Sequence, residues 1–540
     1  MKKKLVILSL GMWSLGIAHA QQQDTTLVRT VVVENQYNPT VMDASKINVL
    51  PKVEEPTVPK THIDYASSVR PVSAWNYQAM DPIVKEWKAD AAYRGYLRAG
   101  YGNNGNVDAK LGYLWDISKT DRLNVAASLD GWNGDLASIQ GQDWKSRLYN
   151  TKVGLDYRHA FKNFDFLLGG AFRSQVFNYV PSDKQHQTLA NVYMGFASSS
   201  KEMPIQFAAE LGMKSFGEKY PLISPENKNK ETNLYLNGDV WKQLSDGDRL
   251  GLKVNIDNYS YASDVIEGWT AIEGNPYFHT QSDDWKVRIG AHVDWKGGDD
   301  SKVYVSPDVN VEYIFSDSYV LFARAEGGRQ ISSFYELTDI TPYFYENGMK
   351  PTYMTLDAAL GLKASPMNGW WFLLSGGYQV RENDVCLTLG EGYPFWCARN
   401  MYGKTNVFYG TAELKYDYKD LVDFSLKGTY YHWNYKNTDW IGVDPSESAL
   451  SLKPELEVMT EVGAKVMEGL RIHAGYEYVK RCNDFAGDPI SNLYAGADYA
   501  LLKNLSIFAK VNNLLNKEYV KHDVYPAQKL NFLGGVSLRF

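Results

Sequence analysis

Apolar and polar positions alternate along this chain from about residue 93 to its C-terminus. Leu250, Leu252, Val254 and Ile256 fall on one face of an extended segment, and Arg249, Lys253, Asn255 and Asp257 fall on the other. Leu123, Val125, Ala127 and Leu129 stand in the same way against Arg122, Asn124, Ser128 and Asp130, as do Leu234, Leu236 and Val240 against Asn233, Asn237 and Asp239. A sustained period of two predicts an all-β fold. In 285–295, Trp285, Val287, Ile289, Ala291, Val293 and Trp295 share a face opposite Lys286, Arg288, His292 and Asp294. Ten such residues at about 3.3 Å each, tilted by roughly 40°, project to about 25 Å, the height of the apolar band of a transmembrane β-barrel. Trp285 and Trp295 are then expected at the two membrane interfaces.

A soluble β-sandwich also alternates, hiding its apolar face against a second sheet. The connections argue for the barrel instead. Short ones, at 118–121 and 365–369, alternate with long ones at 131–145, 330–352 and 382–404, the turn-and-loop asymmetry of membrane barrels. A barrel with both ends on one side of the membrane needs an even number of strands. Clear alternations give an odd count and put short and long connections out of step between Tyr261 and Val303. A weakly patterned strand at 269–281 restores the phase, makes 282–284 a turn, and brings the total to about 22 antiparallel strands.

Composition fits a barrel. Mean hydropathy is −0.38, a value that averages lipid-facing and lumen-facing residues together, and the chain carries 38 Tyr, 15 Trp and 44 Gly. Lys2, Lys3 and Lys4, an apolar run over 5–17 and the small-x-small site Ala18-His19-Ala20 predict a secretory signal peptide over 1–20, cleaved between Ala20 and Gln21. The net charge of −7 becomes more negative without that leader, so nucleic acid is not an expected partner. Residues 21–92, with prolines at 39, 51, 56, 59, 71 and 82, predict extended, periplasmic or lumenal backbone. The barrel is expected over 93–540. Of three cysteines, Cys386 and Cys397 are the plausible disulfide pair, leaving Cys482.

The last segment reads Lys529-Leu530-Asn531-Phe532-Leu533-Gly534-Gly535-Val536-Ser537-Leu538-Arg539-Phe540, with Leu530, Phe532, Val536, Leu538 and Phe540 on one face. Together with Val511-Asn512-Asn513-Leu514-Leu515-Asn516-Lys517-Glu518-Tyr519 and Tyr525-Pro526-Ala527, it resembles the C-terminal end of TonB-dependent receptors, particularly those of Bacteroidota. Val31-Val32-Val33 and Ile47-Asn48-Val49-Leu50 look like the opening strands of that family's plug domain. The resemblance implies a Gram-negative outer-membrane barrel that presents Phe540 to the barrel assembly machinery. It also implies partners among outer-membrane lipid and TonB, or a surface lipoprotein or other outer-membrane subunit. Residues 21–92 are shorter than a complete plug and lack its Gly-Arg-rich gating motifs, so a truncated or absent plug is expected.

No His-Glu-x-x-His, Gly-x-Ser-x-Gly or phosphate-binding glycine loop is present, so no enzyme activity, cofactor or metal is expected. His292 and Asp294 read as part of a polar lumen wall, and Gly297-Gly298-Asp299-Asp300 as a solvated turn. Tyr393-Pro394-Phe395-Trp396 could form a ligand platform in an outer loop. Tyr430-Tyr431-His432-Trp433-Asn434-Tyr435 reads first as interfacial girdle. The expected function is binding or transport of a solute at the cell surface. The alternative is a non-transporting accessory barrel, a structural subunit of a larger outer-membrane complex, because a lumen this wide leaks unless something fills it.

Overall fold

The computed structural model describes residues 93–540, apart from 140–141, 180–183, 201, 221–229, 264–265, 299, 317, 346–347, 390–397, 438–448, 484–486 and 523–524. The leader with Ala20 and Gln21, the segment 21–92, Asp299, the loop aromatics Tyr393 to Trp396, and Cys397 lie outside the described residues.

The alternating segments form a closed antiparallel barrel of 22 strands. The first, Gly95–Gly102, pairs with the last, Asn531–Arg539, from Tyr96 opposite Arg539 to Gly102 opposite Leu533. Closure leaves no sheet edge, so every ladder finds a partner where no water can supply one. The Phe540 carbonyl accepts from Arg94 N (2.9 Å) and Gly95 N (2.7 Å), and its ring stacks on Tyr113 with centroids 6.0 Å apart. That ring lies where a Cβ on residue 95 would sit, which only glycine permits.

Outward residues form an apolar belt. Leu211, Leu234, Leu250, Leu360 and Leu374 are each more than half exposed. In water such a belt would lose about 25 cal/mol for every Å² left unburied, so it marks the surface that meets hydrocarbon. Trp285 and Trp295 point outward at opposite ends of Trp285–Lys296.

The weakly patterned strand is real. Trp269–Gln281 pairs with Arg249–Tyr261 on one side and Trp285–Lys296 on the other. Its outward face carries Gly274 and Pro276, which dilutes the apolar signal. The ladder to Trp285–Lys296 skips Asn275 and Pro276, as a residue without an N–H requires. The turns at 282–284 and 365–369 form as expected. Short connections gather at one end of the barrel, and the opposite end, which faces the cell exterior in barrels of this kind, is called outer below.

Two expected long loops are mostly strand. Asp121–Ile139 with Gln142–Ala160, and Trp370–Leu389 with Ala398–Tyr418, continue as ribbons through most of 131–145 and 382–404. Past the apolar belt neither face needs to be greasy, so alternation fades while the ladder of hydrogen bonds runs on.

Inside, a recurring contact accounts for the wealth of Tyr and Gly. An inward tyrosine lies across a glycine of the preceding strand and donates its hydroxyl to a carboxylate. Tyr277 crosses Gly251 to reach Asp239 (2.9 Å), Tyr409 crosses Gly377 to reach Asp357 (2.6 Å), and Tyr494 crosses Gly475 to reach Glu461 (2.5 Å). In each case one ring ties three adjacent strands together.

Candidate functional site

The outer end of the lumen is covered by loop 330–352, which joins Tyr319–Arg329 to Tyr353–Ala364. A short helix, Phe334–Leu337, starts at Ser333, whose hydroxyl accepts from Glu336 N (3.1 Å), while the Glu336 carboxylate accepts from Ser332 N (2.7 Å). The Glu231 carboxylate, from the wall strand Lys230–Gln243, accepts from Phe334 N (2.8 Å) and Tyr335 N (3.2 Å). The wall therefore supplies part of the cap that this one-turn helix needs.

Phe334, Leu337, Phe344 and Met349 pack with Leu189 and Phe216 from one stretch of the wall and with Val385 and Leu387 from another. Polar contacts follow the same span. Gln187 Nε2 donates to the Pro342 carbonyl (3.2 Å), Arg173 pairs with Asp339, and Tyr402 Oη donates to the Gly348 carbonyl (3.2 Å). A third anchor comes from connection 513–530: Tyr343 stacks on Tyr525 with centroids 3.7 Å apart and meets Phe177 edge-on. His522 stands beside them, 6.1 Å from the Tyr343 ring. Its burial, with Lys521 and Arg481 nearby, pushes the imidazole down to about 3. The loop is thus a lid seated on three parts of the rim around a small apolar core.

Both ends of the lid are tied to one acidic residue. Arg329, where the chain leaves the wall, holds Asp257 (2.7 Å) and Asp294 (3.1 Å), and Tyr353, where it returns, donates to Asp294 (3.4 Å) and stacks on Tyr304. Below lies a wall of paired charges. His292 Nδ1 donates to Glu273 (2.5 Å), Asn275 Nδ2 donates to Asp308 (3.0 Å), and Arg288 holds the same Asp308 (2.6 Å). Lys363 pairs with Glu312 (3.0 Å), and Arg324 donates to Tyr409 Oη (3.1 Å). His292 and Asp294 do belong to this wall, but each turns to a different partner.

The cluster 430–435 divides by the strand's own alternation. Tyr431 donates to Glu457 (3.1 Å) and Trp433 to the Pro454 carbonyl (2.7 Å), facing inward with Tyr435, whereas Tyr430, His432 and Asn434 face out. Cys386 is buried against Tyr435 and Ala449 near the tip of its ribbon. The lid is what sequence reading missed. Its one local signal is Ser333-Phe334-Tyr335-Glu336, the spacing of a capping box, which announces a helix turn inside a loop.

Solved structures share this architecture. The FrpB iron transporter from Neisseria meningitidis matches with a TM-score of 0.64 over 84% of this chain and 82% of that one, at 10% identity. The ferric-catecholate import receptor Fiu from E. coli K12 gives 0.62 over 83% and 82%, at 12% identity. The copper transporter OprC gives 0.61 over 83% and 80%, at 14% identity. These are folds of TonB-dependent receptors, and at such identities the likeness is one of fold. No protein-family profile and no curated protein matches the chain in sequence.

Proposed function

We propose that this is a TonB-dependent-receptor-like outer-membrane protein of the Bacteroidota type that binds and passes a polar solute through a lumen gated by the 330–352 lid. The observation that carries the reading is the paired-charge wall beneath the lid, from Asp257, Asp294 and Arg329 down to Glu312 and Lys363. Such pairs can exchange their partners for a charged solute without leaving a bare charge in a confined space. Similar solved barrels are named for copper, iron and a ferric catecholate, so a metal ion or metal chelate is the solute class to try first.

In this reading residues 1–20 are removed between Ala20 and Gln21, and 21–92 serve as a reduced plug through which TonB would act. Residues 93–540 are the barrel, delivered by the assembly machinery that reads Phe540. A disulfide between Cys386 and Cys397 would tie the tip of one ribbon.

The apolar seat of the lid favours a second reading. Phe334, Leu337 and Phe344 are almost fully buried, as in a permanent closure, which suits a non-transporting subunit of a larger outer-membrane complex. Planar-bilayer conductance of the purified full chain, with and without 332–350 replaced by a short Gly-Ser linker, tests the gate. A closed full chain and a conducting lid deletion support gated transport, and a folded lid deletion that still does not conduct would sink it. Recovery of the barrel from detergent extracts with no stoichiometric partner would sink the subunit reading.

A further inference from the structure

One row of the inner wall is cationic. Across the hydrogen-bonded ladders Arg98 stands opposite Lys110, Lys110 opposite Ser128, Ser128 opposite Lys152, and Lys152 opposite Arg173. Each cation adjoins in sequence an exposed residue of the outer belt, Leu97, Leu111, Val153 or Phe172, so by the alternation of a strand all four turn to the lumen. On its other side Arg98 faces Ser537, and Ser537 faces Ser506. The row also climbs. Counted from the turn end of its strand, Ser506 lies one residue up from Leu505, Arg98 three up from Gly95, and Arg173 nine up from Phe164. Strands about 4.8 Å apart and tilted by roughly 40° make each step to the next strand rise by about 3 Å. The row therefore leads from the end with short connections up to the lid, where Arg173 pairs with Asp339.

The rows on either side hold few opposite charges. Next above come Gly100, Asp108, Asp130, Asn150 and Gln175, and Asp108 is shared between Arg98 (3.5 Å) and Lys510 (3.9 Å). Next below come Tyr96, Gly112, Ala126, Gly154 and Ala171, none of them charged. A Cβ added at Gly112 would meet no heavy atom within 4 Å, and one at Gly154 none closer than 3.9 Å. The wall beneath the cations is thus a trough that its own packing does not require. Like charges directly opposite each other destabilise a ladder, and two such pairs stand here, Arg98 with Lys110 and Lys152 with Arg173. Arg98 is buried, with its guanidinium 3.6 Å from the Phe508 ring centroid, and acts through its field. Lys152 is exposed to the lumen.

We propose that this row is a track for a linear polyanion, a solute with several phosphate or carboxylate groups, and that Asp339 holds its top step while the lid is closed. Neighbouring positions of a ladder lie about 5 Å apart, so Lys110, Lys152 and Arg173 can meet successive anionic groups of one chain, with the Ser128 hydroxyl donating between them. The trough below leaves room for the rest of the solute. An anion arriving at Arg173 exchanges one carboxylate partner for another, so no bare charge is left behind, and the lid loses an anchor as the solute gains one. The inference rests on the gated-lumen reading and narrows its solute from polar to anionic.

Isothermal titration calorimetry of the full chain in detergent tests it, with tripolyphosphate and hexaglutamate as probes, beside the conductance of the same samples. At least one probe should bind. Asp339→Asn should raise its affinity about tenfold by clearing the top step, and Lys152→Gln should lower it about tenfold. Lys427→Gln, on a distant strand opposite Glu413, should leave it unchanged. Each variant is checked for the heat-dependent gel shift of a folded barrel, and Lys110→Gln stands in for Lys152→Gln if that chain does not fold. Failure of both probes to bind the Asp339→Asn chain would overturn the track, as would equal binding by the folded lysine variant and its parent. A chain with the lid replaced that conducts yet binds neither probe removes the track and leaves the gate standing. One that binds with the expected variant effects yet does not conduct removes the gate alone.

Discussion

Strand Arg249–Tyr261 and loop 330–352 place their apolar side chains in opposite surroundings. Leu250 and Leu252 stand about half exposed on the outside of the wall, while Phe334, Leu337 and Phe344 are shut away over the lumen. The wall is an inside-out structure. Its hydrogen-bonded ladders and tyrosine-on-glycine contacts hold it together, and hydrocarbon solvates its greasy side. The lid is an ordinary water-soluble core in miniature, held by the hydrophobic effect against a rim that supplies its missing caps. One chain thus uses two sources of stability, and they can be broken one at a time.

The largest separation should come from the lid's core. Truncating Phe334 and Leu337 to alanine should each remove about 3 kcal/mol of local stability. Chymotrypsin cleavage within 330–352, at aromatic residues such as Tyr335 and Tyr343, should then accelerate strongly, while the urea midpoint of the barrel in micelles barely moves. Next comes the shared anchor. Arg329→Met leaves Asp257 and Asp294 confined without their counter-charge, at a cost of about 3 kcal/mol, and because Arg329 belongs to both regions it should lower the barrel midpoint and loosen the lid together. A third test acts on the wall alone. Gly377→Val intrudes on the Tyr409 ring and should cost about 2 kcal/mol of barrel stability with no added protease sensitivity in the lid. The smallest effect is one of pH. His522 stays neutral in the closed seam down to about 3, against an ordinary value of about 6.5. The open seam therefore takes up a proton as pH falls below about 6.5 and the closed one does not, so closure is complete above that pH and weakens toward 3. Lid cleavage should be faster at pH 5 than at pH 7.5 with an acid-active protease, and His522→Gln should remove that difference.

The wall was legible from the alternation of Leu250 to Ile256 and of Trp285 to Trp295, because a strand between lipid and a polar lumen has its two faces dictated independently. Parity then recovered Trp269–Gln281, whose own pattern is blurred by Gly274 and Pro276. The ribbons beyond 131 and 382 were not legible, since a ladder in water imposes no face. The candidate site divides in the same way. The polar wall containing His292 and Asp294 could be read by face, but its pairings could not: Asp294 turns to Arg329, 35 positions along the chain, and His292 to Glu273 on the neighbouring strand.

By itself, the sequence determined the all-β class, the strand count and which residues face outward, because period two and connection length are local properties of the chain. Tertiary structure alone decided that 330–352 closes the outer end, that Tyr343 stacks on Tyr525, and which partners Tyr431 and Trp433 find inside the wall. Those outcomes depend on which distant strands closure brings side by side, and no local period carries that information.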